Sequence, residues 1–265
     1  MRLLAVLCLA SVALFVGATA RAASESVCLE ELTWTELRDA VAAGRTTVIV
    51  PVGGVEQSGP HMALGKHDVR VRVLAGRIAA QLGNAVVAPV VAYVPEGSID
   101  PPSAHMRWPG TISVPADAFK AVLEGAAQSL RRAGFRDVVL IGDHGGYQAD
   151  LAAVATKLNK TWASSPARVH FAADYYLASV EPFNAALRER GLSEAQIGKH
   201  AGAADTSLML ATGPHLVRPD RMAAPPAAGD GTTGDARPST AALGQLGADL
   251  MVARAVASIR RAVVR

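Results

Sequence analysis

Four short runs of the chain are almost wholly apolar and rich in β-branched residues: 46–52 (TTVIVPV), 85–94 (AVVAPVVAYV), 137–141 (DVVLI) and 169–173 (VHFAA). Runs this short, without polar alternation, predict strands buried on both faces. Between them, apolar residues recur at helical spacing. Val71, Leu74, Ile78 and Leu82 share one face; so do Phe119, Val122, Leu123, Ala126 and Leu130; so do Leu151, Val154, Ala155 and Leu158. Thr33-Trp34-Thr35-Glu36 reads as a capping box opening a helix that ends near Gly44. The segment 219–239, rich in Pro, Gly, Ala and Thr, predicts a long loop, and 240–264 a helix with a Leu243, Leu246, Leu250 stripe. Strands alternating with helices of this size predict an α/β fold: a three-layer α/β/α sandwich around a mainly parallel central sheet.

The N-terminus follows a different pattern. Arg2 precedes an apolar run at 3–16 and then small residues, with Ala18-Thr19-Ala20 and Ala20-Arg21-Ala22 as cleavage sites. That is the layout of a secretory signal peptide over residues 1–22, leaving 23–265 as a single domain, secreted or periplasmic. No later segment is expected to cross a membrane. Removing the leader takes Arg2, Arg21 and Cys8, so the net charge of +3 falls to +1 and Cys28 is left without an internal disulfide partner. A nearly neutral surface, without a Lys/Arg cluster interleaved with aromatics, argues against nucleic acid as a partner. At 265 residues and 50% apolar, the chain has enough material for a sizeable core and is not disordered.

In an open parallel sheet, ligands bind beyond the carboxyl ends of the strands. The polar residues after each apolar run are therefore informative. The first run leads into a Gly- and Pro-containing loop carrying Glu56, His61, His67 and Asp68. The third leads into Gly142-Asp143-His144-Gly145-Gly146, and a later segment carries His200 and Asp205. Taken singly, each has a plainer reading: a hydrogen-bonded histidine, a helix-capping aspartate, a tight glycine turn. Carboxylate and imidazole arriving together from three segments point to a divalent metal, with zinc, manganese or iron suited to those donors.

These motifs resemble the signatures of the creatininase family of metal-dependent amidohydrolases. Glu56-Gln57-Ser58-Gly59-Pro60-His61 is similar to its Glu-Gln-His-Gly-Pro-His. Gly142-Asp143-His144-Gly145-Gly146 is similar to its Asn-Gly-His-Gly-Gly-Asn, and His200-Ala201-Gly202-Ala203-Ala204-Asp205-Thr206-Ser207 to its His-Ala-Gly-Glu-x-Glu-Thr-Ser. His105-Met106-Arg107-Trp108-Pro109-Gly110-Thr111 and Gly231-Thr232-Thr233-Gly234-Asp235 match further stretches, in family order, from about Leu32 to Ala255. The departures are specific. Ser58 stands at a His ligand position, His67 at that of a bridging Asp, and Ala203 and Asp205 at two Glu positions.

The resemblance implies hydrolysis of a non-peptide C–N bond, an amide and often a cyclic one, in a small molecule, by a homo-oligomer. It leaves Glu56, His67, His144 and Asp205 as expected metal ligands, with Asp68 entering if the loop slips by one residue. It implies that His200 acts as general acid and that Asp143 orients an imidazole; His61 and His105 either face substrate or brace the loops, and Trp108 supplies an apolar wall to the substrate. For Trp108, core packing is the plainer reading. The rival expectation is a secreted binding protein that keeps the scaffold without the chemistry.

Overall fold

The computed structural model describes residues 26–264; the expected signal peptide at 1–22, with Cys8, lies outside the described residues. The sheet is built from β1 (Thr47–Val52), β2 (Ala85–Val87), β3 (Asp137–Gly142) and β4 (Arg168–Phe171), in the order β2-β1-β3-β4. Every pairing is parallel: Thr47 lies opposite both Ala85 and Asp137, and Asp137 opposite Arg168. The larger helices in chain order are α1 (Trp34–Ala42), α2 (Lys66–Leu82), α3 (Ala116–Arg132) and α4 (Gln148–Thr161). They are followed by α5 (Asp174–Val180), α6 (Pro182–Arg188), α7 (Glu194–Ile197), α8 (Ala203–Thr212), α9 (Pro219–Met222) and α10 (Ala241–Val263).

Side chains alternate across a strand, so β1 and β3 each serve two cores. Ile49, Val139 and Ile141 meet Val71, Leu74 and Ile78 of α2 and Met251, Ala255 and Ile259 of α10. Val48, Val50, Val138 and Leu140 face the other way, against Phe119 and Leu123 of α3 and Leu151, Val154 and Leu158 of α4. The expected α/β/α sandwich is the observed architecture. The capping box at α1 is also present, with Thr33 Oγ1 accepting from the Glu36 amide and Glu36 from the Thr33 amide.

Two elements differ from expectation. The run 85–94 pairs as a strand only to Val87, because Pro89 has no N–H to give the ladder. The chain then runs beside the end of β1, touching it again through a single bridge between Val91 and Val52. In α10, Leu243 and Leu250 are only half-buried, and the fully buried stripe is Gly244, Gly247, Ala248, Met251, Val252, Ala255, Val256 and Ile259. Small residues lead it because α8 comes so close: a Cβ on Gly244 would sit 1.7 Å from the Ser207 carbonyl oxygen. The same helix has the length and apolarity of a membrane span. Its buried stripe instead packs it into the core beside α2, α5 and α8.

Candidate functional site

The chemistry gathers where the parallel strands end. A Tyr147 hydroxyl ties two of those ends together. It donates to the Gly53 carbonyl after β1 (2.6 Å) and accepts from the amides of Asp143 (3.1 Å) and His144 (3.0 Å) after β3. Gly54, at φ +141°, gives the loop a turn that an L side chain resists. It also leaves room for Glu96, since a Cβ there would lie 2.8 Å from Glu96 Oε1. His200 is fixed from the far side of the site by backbone pairing with Thr233 (2.8 and 3.2 Å), inside the predicted long loop.

Glu56 is the hub, and it is fully buried. Its Oε1 lies 2.8 Å from His67 Nε2, 3.3 Å from Lys66 Nζ and 3.7 Å from His200 Nδ1. Its Oε2 lies 3.2 Å from His105 Nε2 and 3.6 Å from His144 Nε2, yet makes no hydrogen bond. Glu96 lies beside it, 3.4 Å from His144 Nδ1, and neither of its oxygens is hydrogen-bonded. One donor atom from each of Glu56, Glu96, His105 and His144 lies within 4.8 Å of the others. Buried carboxylate oxygens without partners are costly unless something else meets them. Two carboxylates and two imidazoles suit a divalent ion bonded at about 2.0–2.2 Å to each donor.

A second set of charges lies on the opposite side of Glu56. Asp143 Oδ2 receives His67 Nδ1 (2.6 Å) and Arg70 Nε (2.7 Å), and its Oδ1 accepts from the Tyr175 hydroxyl (2.7 Å). Asp205 Oδ1 accepts from Arg70 (2.6 Å), and its Oδ2 from Lys66 and from the Ala201 amide (3.1 Å). Lys66, His67 and Arg70 come from the first turns of α2, where positions three and four apart share a face.

The expected site residues fall into both groups. Glu56 and His144 do come together. His67 lies against Glu56 as well, with Nε2 on Glu56 Oε1 and Nδ1 on Asp143 Oδ2. Asp205 has both oxygens occupied by cations. Asp68 turns away, its Oδ1 accepting from the Gly54 amide (2.8 Å). Glu96 and His105 lie beside Glu56 and His144. Glu96 went unpredicted although it follows the apolar run 85–94 by two residues, where the strand-end rule directs attention. Asp143 contacts an imidazole, that of His67. His61 is buried and bonded to Thr206 Oγ1 (3.0 Å), bracing α8, and Trp108 is half-buried; neither lines the cavity at the site.

The charges follow from the geometry. Burial opposes ionisation of Glu56, but Lys66, His67 and His144 outweigh it and hold its carboxyl far below the usual range. Burial, reinforced by the charge of Glu56, pushes Glu96 up to about 8. Burial pushes His144 down to about 3, and burial with Lys66 takes His200 down to about 4. For His67, burial and Lys66 are overcome by Glu56 and Asp143, so its pKa is raised, which favours the imidazolium between two carboxylates.

Beside this cluster opens a cavity of about 570 Å³, lined among others by His105, His144, Tyr176, Asn184, Lys199 and His200. The profile of the creatininase (creatinine amidohydrolase) family matches residues 30–259. The chain belongs to the creatininase family. It is 29% identical over 206 residues to a creatinine amidohydrolase of Pseudomonas putida, covering 75% of this chain and 76% of that one. It is 35% identical over 116 residues to the mycofactocin precursor peptide peptidase of Mycolicibacterium smegmatis, covering 42% of this chain and 44% of that one. A crystal structure of creatininase superposes with a TM-score of 0.77 and 26% identity, covering 91% of this chain and all of its own. Similar creatininases include a manganese form and a mutant of Zn-Zn type, each 26% identical. This chain is accordingly a creatininase-like hydrolase, with a His/Glu cluster able to bind a metal.

Proposed function

We propose that this creatininase-like protein is a metal-dependent hydrolase of a non-peptide C–N bond, an amide or cyclic amide of a small molecule. The observation that carries the reading is the group of three buried carboxylate oxygens, one on Glu56 and two on Glu96, left without hydrogen bonds beside His105 and His144. Those four residues would hold the divalent ion, with zinc, manganese and iron as the candidates. Once bound, such an ion lowers the pKa of water from about 15.7 toward about 7 and polarises a carbonyl.

The remaining chemistry belongs to the chain itself. His200 Nε2 lies 2.9 Å from the Gln57 carbonyl oxygen and 3.1 Å from the Gln57 side-chain amide nitrogen, while its Nδ1 lies 3.7 Å from Glu56 Oε1. At neutral pH this imidazole is neutral, so it must first take a proton before it returns one to the leaving nitrogen. The expected general acid thus begins the cycle as a base. His67, fixed by Asp143, holds Glu56 Oε1 still and leaves Oε2 for the centre. Asn184 lines the cavity with its Oδ1 buried and unbonded, an acceptor suited to a substrate amide N–H.

In this reading, the leader at 1–22 delivers a secreted or periplasmic domain, 23–265, which assembles as a homo-oligomer. Its partner is the small-molecule amide, with neither nucleic acid nor, after cleavage, a membrane. The deciding experiment is a screen of cyclic and linear amides with purified protein, with and without a chelator. The expected result is turnover that the chelator abolishes and added metal restores. Turnover indifferent to the chelator refutes the metal mechanism. Protein that takes up no metal and turns over nothing supports the binding-protein alternative.

A further inference from the structure

The two oxygens of Glu56 face opposite environments, and the difference between them specifies how many ions the centre holds. On the Oε2 side, three carboxylate oxygens are buried without hydrogen bonds. On the Oε1 side, none is spare: both oxygens of Asp143 and both of Asp205 are bound by Tyr175, His67, Arg70, Lys66 or a backbone amide. The group that meets Glu56 Oε1 together with Asp205 Oδ2 is the ammonium of Lys66, a residue 1% exposed.

We propose that Lys66 is a built-in second cation: the centre takes one divalent ion per chain, on the side of Glu56 Oε2, Glu96, His105 and His144, while the Lys66 ammonium occupies the place between Glu56 and Asp205 that a second ion would need. A metal there would have to displace Lys66 from two carboxylates and lie against Arg70 and His67, both held in the same cluster. An ammonium bridging two acidic side chains supplies positive charge where the carboxylates demand it. It exchanges with nothing and requires no metal from the medium. Lys66 is a positioning residue here, acting on the reaction through Glu56.

The inference rests on the metal reading above, and one experiment separates the two. Chelator-stripped full-length mature protein is titrated with zinc, and separately with manganese, by calorimetry, and the bound metal is counted by elemental analysis after gel filtration. One equivalent per chain is expected. Two equivalents overturn the proposal while leaving the metal reading intact; none overturns both. Lys66→Met removes the cation between Glu56 Oε1 and Asp205 Oδ2, leaving them only His67 and the Ala201 amide, so it should take up a second equivalent, whereas Lys66→Arg should keep one. A lysine with only a structural role would lower metal uptake when lost, and unchanged or lowered uptake in Lys66→Met refutes the assignment. Lys66→Gln is the milder variant should Lys66→Met not fold, and the wild-type stoichiometry decides the question by itself.

Discussion

Replacing Glu96 with glutamine separates the cost of burying this carboxyl from its benefit as a ligand. The side chain is 3% exposed and has no hydrogen bond on either oxygen. Burial, and then the charge of Glu56, raise its pKa from the ordinary 4.5 up to about 8. Between those values the folded protein keeps a proton that the unfolded chain has released, so stability falls as pH rises. At about 1.4 kcal/mol per pH unit, the interval from 4.5 to pH 7 costs up to about 3 kcal/mol in metal-free protein. Glu96→Gln has nothing to ionise and escapes that cost. Urea unfolding of the chelated proteins should therefore show the variant more stable by up to about 3 kcal/mol at pH 7, and nearly equal at pH 4.5. Added metal should reverse the order. An ion at about 1,000 times its Kd stabilises the wild type by about 4 kcal/mol, while the variant, lacking a carboxylate ligand, gains far less. A metal-free variant no more stable than the wild type at pH 7 would refute the reasoning. Equal stabilisation of both proteins by metal would refute the ligand assignment.

Other perturbations test the rest of the cluster. His144→Ala removes a donor that outer partners could not replace, so metal-dependent turnover should fall by at least about 10²-fold, measured on whichever amide the screen identifies; turnover within a few-fold of wild type would exclude His144 as a ligand. Arg70→Met strips one cation from both Asp143 and Asp205 in a buried setting and should cost about 3–5 kcal/mol in urea unfolding; a loss near zero would show that Lys66, His67 and Tyr175 suffice. The two aspartates set the acid limb of stability. Burial opposes their ionisation, but Arg70 and His67 for Asp143, and Lys66 and Arg70 for Asp205, hold their carboxyls below the ordinary 3.8. Their contribution is intact above 3.8 and is lost as pH falls through the lowered values, so acid unfolding monitored by circular dichroism should begin below about pH 4 and move to higher pH in Arg70→Met.

Apolar pattern carried the layers of this fold directly into the sequence. β1 and β3 are legible because a strand buried on both faces has no polar alternation, and α2, α3 and α4 because one helical face repeats. The strand-end rule likewise located Glu56, Asp143 and His144. Pattern misled where the buried face is made of small residues, as in α10 against α8, since glycine and alanine read as neutral until a neighbouring backbone is known. It also misled where one proline interrupts an otherwise uniform run, as Pro89 does after β2.

Sequence by itself therefore settled which residue types the head of the sheet would offer: carboxylates and imidazoles on loops after parallel strands. Tertiary structure decided which of them face one another without a partner. His67 and Asp205 have ligand chemistry, but the ring nitrogens of the one face Glu56 and Asp143, and the oxygens of the other accept from Lys66 and Arg70. Glu96 and His105, from a segment distant in the chain, are the ones left open toward Glu56. The reason is physical: a side chain's type fixes what it is able to bind, but its availability depends on every charge packed around it, and that is a property of the folded chain alone.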